Sequence, residues 1–246
     1  MRPVDSHCHL HAEELNQFRD RAKQEEVEEL EFVVDAGLDP DTNRQVLKLA
    51  NQSSQVVAAV GLHPTRTESF DAVEEVTGQI KAGNPAAVGE IGMDFHHVTD
   101  EGMRTRQREV FRRLLEVAER ESLPVVCHTR NAEDEVLEVL GGFELEAYLH
   151  CFNGRPELVR EAVDRGYMIG VGPQLEWSDR AREVARTAPV DNLLLETDSP
   201  YIGDSPTDVL SVCDLLGEIK NGSMEGVAAL PERLAENALE FFGRAL

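Results

Sequence analysis

Short apolar runs recur along the chain, each bounded by turn residues. They fall at residues 32–34 (FVV), Val56–Val60, 86–88 (AAV), 124–127 (PVVC), 147–149 (AYL), 167–171 (YMIGV) and Leu193–Leu195. The runs are near-continuous rather than alternating, the pattern of strands buried on both faces of a parallel sheet. Residues 3–11, PVDSHCHLH, supply one more strand at the start. Between the runs lie polar stretches with apolar positions at helical spacing. The clearest is residues 103–121, where Val110, Leu114, Leu115, Val117 and Ala118 share a face and Arg and Glu cover the rest. Further helices are predicted near 12–30, 41–53, 68–82, 132–140, 156–165, 178–187, 206–220 and 231–242. Strand and helix alternate eight times, with an extra C-terminal helix and no composition break, so residues 1–246 read as one domain. Eight βα units in about 250 residues describe a TIM (β/α)8 barrel, with a doubly wound open sheet as the alternative.

The residues that end these runs change the picture. The first strand carries His7 and His9, and later runs lead to Asp35, His63, Glu90, His128, His150, Gly170 and Asp198, spaced 20 to 38 residues apart. In a barrel all of them meet at the C-terminal rim, where strand-end residues read as catalytic. Five histidines together with Glu90 and Asp198 crowded into one partly buried mouth would cost several kcal/mol for each uncompensated charge. Divalent cations remove that cost. His7, His9, Glu90, His128, His150 and Asp198 provide six nitrogen and oxygen donors. That is too many for one ion with an open position and enough for two ions about 3.5–4 Å apart. The strand order assigns His7, His9 and Asp198 to one ion, His128 and His150 to the other, and Glu90 to both. Ligation without cysteine suits Zn2+, Mn2+ or Mg2+.

The net charge is −23, and only 4 of the 24 basic residues are lysine. Such a coat repels itself and is tolerated best where salt is near 1 M and the Debye length is about 3 Å. A salt-rich, cytoplasmic setting is therefore expected. No apolar run is long enough to span a bilayer and no signal peptide is visible, so no membrane association is expected. Cys8, Cys127, Cys151 and Cys213 lack CxxC spacing and read as free thiols.

Six ordered motifs, VDSHCHL, GLHP, AVGEIGMDF, LPVVCHTR, HCFNG and LLLETDSPY, resemble those of the TatD-like metal-dependent hydrolases of the amidohydrolase superfamily. The resemblance runs from residue 4 to about 202, and AENALEFFG is similar to that family's C-terminal helix. It implies a TIM barrel, a divalent metal centre and deoxyribonuclease activity of the 3′–5′ exonuclease type. By motif match the family's ligands fall on the six residues above. One stretch departs from the pattern. After Tyr201 the family carries a Pro- and Arg-rich loop, whereas this chain reads IGDSPTDVL.

The expected chemistry is phosphodiester hydrolysis by a metal-bridging hydroxide, with Glu90 bridging the ions and Asp198 handling the proton. Arg130 is the candidate phosphate clamp and His63 a donor to substrate. Trp177 is the base platform, with Phe95, Phe152 and Tyr201 nearby. His96 and His97 are placed on a loop over the mouth, and His11 in solvent. The substrate would be DNA with single-strand ends, and no stable protein partner is implied. Two alternatives stand beside this reading: a small-molecule amidohydrolase or lactonase with the same metals, and a metal-binding barrel without catalysis.

Overall fold

The computed structural model describes residues 1–67, 69–220 and 230–243. Eight strands form a single parallel sheet in chain order: β1 (Asp5–Cys8), β2 (Val33–Ala36), β3 (Val56–Val60), β4 (Ala87–Gly92), β5 (Val125–His128), β6 (Ala147–His150), β7 (Met168–Val171) and β8 (Leu193–Leu195). The seam between β1 and β8 closes just beyond the end of β8. Cys8 bridges Ser199, the amide of His9 donates to the Ser199 carbonyl at 2.8 Å, and that of Asp198 to the His7 carbonyl at 2.9 Å. The ring is a TIM barrel, as the sequence pattern predicts, and its closure brings residues 7, 9 and 198 together although the chain separates them widely.

Helices occupy Asn16–Lys23 (α1), Pro40–Ala50 (α2), Phe70–Gly83 (α3), Glu101–Glu121 (α4), Glu133–Leu140 (α5), Pro156–Asp164 (α6), Asp179–Thr187 (α7), Val209–Lys220 (α8) and Leu230–Phe242 (α9). Local chemistry sets their ends. Asp39 and Thr42 form a capping box that starts α2 at Pro40. Asp100 accepts from the Met103 amide at the start of α4. At the other end Ser122 leaves α4 in the left-handed conformation, φ 56°.

The first helix is shorter than the predicted 12–30. A single 3-10 turn at Glu13–Leu15 precedes it, and it stops at Lys23. Glu25 takes φ 58°, and its carboxylate accepts from the Ser54 amide at 2.8 Å and hydroxyl at 2.6 Å. Residues 26–32 then run as a loop that buries Val27 and Leu30.

Two apolar layers hold the barrel. One lies between the sheet and the surrounding helices. The other fills the barrel interior, with Val34, Ala36, Ala59, Val126 and Leu194, and is stoppered by Phe241 and Phe242 of α9. Tyr148 on β6 meets both phenylalanines edge-on, with ring centroids 6.0 and 6.3 Å apart. The bottom of the barrel is therefore apolar and sealed, and polar chemistry is confined to the opposite rim.

Candidate metal centre

β1 delivers two imidazoles to the rim. Nδ1 of His9 donates to the Ala36 carbonyl at 2.8 Å, which leaves the lone pair on Nε2. That Nε2 lies 3.3 Å from Nε2 of His7 and 3.2 Å from Oδ1 of Asp198. Nε2 of His7 is also 3.6 Å from Oε2 of Glu90 and 3.7 Å from Oδ1 of Asp198. Asp5, on the same strand, stays out of this cluster. It accepts from the amides of His7 and Thr197 and from the Thr197 hydroxyl, and so ties β1 to the end of β8.

Glu90 lies within β4, where the β4–β5 register shifts between Val88 and Ile91. Gly61 of the GLHP segment makes room for this irregularity, because a Cβ there would come within 2.5 Å of the Gly89 carbonyl carbon. The carboxylate is 2 % exposed and faces five imidazoles. His128 and His150 arrive from β5 and β6 in opposite orientations. Nε2 of His128 bonds Oδ2 of Asp94 at 3.0 Å and its Nδ1 meets Oε1 of Glu90 at 2.6 Å. His150 instead sends Nδ1 to Oε2 of Glu196 at 2.8 Å, and its Nε2 lies 3.7 Å from Asp198 and 4.0 Å from Glu90. The rings of His7 and His150 stack, with centroids 3.6 Å apart.

Asp94 and Glu196 are both fully buried and hold the two rings in place. Neither was singled out from the sequence, although both sit inside quoted motifs, GMDF and ETDSP. β7 contributes space: a Cβ on Gly170 would overlap the Glu196 carboxylate. Asp198 adopts φ 49°, a left-handed conformation that Asp tolerates better than most residues, and this turn leaves its carboxylate partly exposed at the mouth.

Among the described residues, donor atoms within 4.8 Å of one another form four groups: His7, His9 and Asp198; His7, Glu90 and His150; His63, Glu90 and His128; and His150, Cys151 and Glu196. An ion with bonds of about 2.0–2.2 Å fits among donors at such separations. The expected first set is together. The remaining donors fall into overlapping groups. His150 groups with His7, His128 with His63, and Glu90 with each, because Asp94 and Glu196 pull the two rings apart to a centroid separation of 6.4 Å.

The electrostatics suit cations. Burial alone would raise Glu90, but the imidazoles of His63 and His128 outweigh it and hold the carboxyl well below its usual range. Burial opposes charge on His128 too, yet the Glu90 and Asp94 carboxylates raise it to about 9. His63 behaves differently. Burial lowers it to about 4, and the Thr65 amide donates to its Nδ1 at 3.3 Å. Its Nε2 therefore carries a proton and offers a donor rather than a lone pair.

Among the flanking residues, one expectation is overturned. His11 is not in solvent: its side chain is 9 % exposed, with Nδ1 3.8 Å from Asp35 and the ring edge-on to His9, because the chain folds back over β1 and β2 there. His97 lies at the mouth and bonds Oδ2 of Asp94 at 2.8 Å. His96, Arg130, Phe152, Trp177 and Tyr201 line the cavity above the cluster. In the acidic loop after Tyr201, Asp208 accepts from the amides of Asp204 and Ser205, while the Asp204 side chain is exposed.

A family model described as TatD related DNase matches residues 4–243. The chain belongs to the TatD family. It is 30% identical over 259 residues to the uncharacterized metal-dependent hydrolase YabD of Bacillus subtilis, covering 97% of this chain and 98% of that one. Human deoxyribonuclease TATDN3 is 28% identical over 262 residues, covering 97% and 94%. The crystal structure of YjjV, a TatD homologue from Escherichia coli K12, superposes with a TM-score of 0.89 at 26% identity over 98% of both chains. This TatD-family protein is thus a metal-dependent hydrolase, and its clustered His, Asp and Glu side chains are able to hold metal ions. No described helix is long and apolar enough to cross a membrane.

One prediction concerns the support of His150. The Tyr148 hydroxyl donates to the same Glu196 oxygen that accepts from His150. Tyr148→Phe keeps the ring against α9 and removes only that donor. Such outer partners typically contribute 10–100-fold to metal affinity. The variant is expected to bind metal about tenfold more weakly in a chelator competition while its far-UV circular dichroism is unchanged. Wild-type affinity would show that Glu196 holds His150 without the phenol.

Proposed function

We propose that this TatD-family hydrolase is a deoxyribonuclease of the 3′–5′ exonuclease type, working with two divalent ions (Zn2+, Mn2+ or Mg2+) on DNA with single-strand ends. The observation that carries the reading is Glu90, whose two carboxylate oxygens face separate imidazole groups, Oε2 toward His7 and His9 and Oε1 toward His128, His63 and His150. His7, His9, Glu90, His128, His150 and Asp198 would hold the ions. When bound, the ions supply Lewis acidity and lower the pKa of a water toward 7.

The chain's own groups do the rest. Asp198, partly exposed at the mouth, accepts the proton of the attacking water and returns it to the leaving oxygen. Arg130 holds a non-bridging phosphate oxygen. Neutral His63 donates from Nε2 to the substrate. Trp177, 63 % exposed at the rim, is the stacking surface for a base. A −23 surface opposes polyanions, but a strand end needs few contacts, and the acidic, lysine-poor coat supports work in a salt-rich cytoplasm where that repulsion is screened.

The test is metal-reconstituted protein in about 1 M salt, with end-labelled single- and double-stranded DNA, with and without chelator. Stepwise shortening of single strands from the 3′ end, abolished by chelator, is the expected result. A second reading, a small-molecule lactonase or amidohydrolase, draws on the absence of basic residues from the IGDSPTDVL loop. Turnover of lactones or amides with intact DNA would replace the nuclease assignment.

A further inference from the structure

The mouth is divided. Two cavities, of about 490 and 570 Å3, open on either side of the metal cluster and share a wall made by His128, Arg130, His150, Asp198 and Tyr201. Each is in the range that takes one small ligand, about 300–1,000 Å3. Their chemistry differs. The first has an apolar floor of Phe152, Leu175 and Val184, with the amides of Asn131 and Asn153 among its lining groups. Its rim holds Trp177 and Tyr201, which are 63 % and 61 % exposed. Among the described residues only four large apolar side chains are exposed, and these two, the most open of them, both line the cleft. Flat aromatic faces left uncovered beside a hydrophobic floor call for a flat aromatic ligand.

The second cavity is polar. His63, Thr65, Arg66 and His97 line it, with Arg130 on the shared wall. Among the described residues neither Arg66 nor Arg130 makes a side-chain hydrogen bond or a close ion pair, although the Asp39 carboxylate feels the charge of Arg66. Two guanidinium groups without a close carboxylate contact, both lining the same space, match the oxygens of a phosphate. The carboxylates of this side, Glu90 and Asp94, are turned to the imidazoles of His128 and His97.

We infer that the cleft binds its substrate with fixed polarity: the nucleobase of the nucleotide being released enters the Trp177 cavity, and the next phosphate along the strand lies on Arg66. Arg130, common to both cavities, holds the scissile phosphate between them. This deepens the nuclease reading and rests on it. It assigns Arg66 a role that the sequence alone did not suggest, and it makes one terminal nucleotide the unit of recognition.

The experiment separates the two ends of the substrate. kcat/KM is measured for the wild type, Trp177→Ala and Arg66→Ala on short single strands. One pair differs by the presence or absence of the 3′-terminal base, and a second differs by one added phosphodiester upstream of the scissile bond. The wild type is expected to favour the base-bearing end by about tenfold, the low-to-middle range for one stacked base. Trp177→Ala removes that preference and keeps the gain from the added phosphodiester. Arg66→Ala does the reverse, through KM. Swapped effects, or ratios unchanged in both variants, overturn the polarity while the nuclease reading stands. No turnover of any strand by metal-loaded wild type overturns both.

Discussion

Asp198→Asn is expected to fold as the wild type does and to lose turnover by about 10^3–10^4, the upper part of what a positioned proton acceptor contributes alone, because the same change also weakens a proposed metal ligand. The backbone argument for an intact fold is specific. Asp198 sits at φ 49°, a region Asn occupies as readily as Asp. Its amide donates to the His7 carbonyl at 2.9 Å, and its carbonyl accepts from the amides of Tyr201 and Ile202 at 2.8 and 3.0 Å, contacts the substitution does not touch. The side chain is where the loss arises. One carboxylate oxygen faces Nε2 of His9, His7 and His150 at 3.2, 3.7 and 3.7 Å. An amide places either a neutral oxygen or an NH2 group there, and it cannot take up a proton from water. Steady-state kinetics on metal-saturated protein, with thermal melting as the control for folding, checks this. More than a tenth of wild-type kcat would remove Asp198 from the proton pathway.

The barrel and the place of its chemistry were legible because buried parallel strands are apolar along their whole length. A histidine or acid at the end of such a run is therefore conspicuous, as with His128 after PVVC and His150 after AYL. Chain order then supplied neighbourhood, since consecutive strands pair and His7 meets Asp198 only if the sheet closes. Ring orientation was not legible. Which nitrogen of His128 or His150 faces Glu90 depends on Asp94 and Glu196, and these act through another side chain rather than by ending a strand. Strand order therefore gives the set of donors and not which of them lie nearest one another. His11 misled because its polar neighbours imply solvent, whereas Asp35, an acid already buried beneath it, draws it inward. Arg66 carries no signal in the sequence for a different reason: it is one arginine among 20, and only its position in the cleft sets it apart. The first helix was overextended because residues 24–30 keep a helical apolar spacing, and only the contact of Glu25 with Ser54 stops it.

Glu90→Gln is expected to abolish the metal centre as a unit. Glu90 turns one oxygen to each half: Oε1 lies 2.6 Å from Nδ1 of His128, 3.9 Å from His63 and 4.0 Å from His150, and Oε2 lies 3.6 and 3.9 Å from His7 and His9. Glutamine has nearly the same shape, so the β4 irregularity and the packing around Gly61 are retained. It removes the negative charge and points a donor where the surrounding nitrogens also need an acceptor or a cation. Outer partners of ligands alone contribute up to about 100-fold to affinity, so losing the proposed shared ligand should weaken binding by more than about 100-fold and lower kcat at least in proportion. The readout need not depend on activity. An ion that binds only the folded state stabilises it by RT ln(1 + [L]/Kd), about 2.7 kcal/mol at 100 times Kd. At a metal concentration chosen to give the wild type that stabilisation, Glu90→Gln should gain less than about half of it, and elemental analysis after dialysis should find less than half the wild-type metal. Wild-type metal content and a full metal-induced rise in melting temperature would mean that the two donor groups load independently, and Glu90 would then be a buried counter-charge to the histidines rather than the link between the ions.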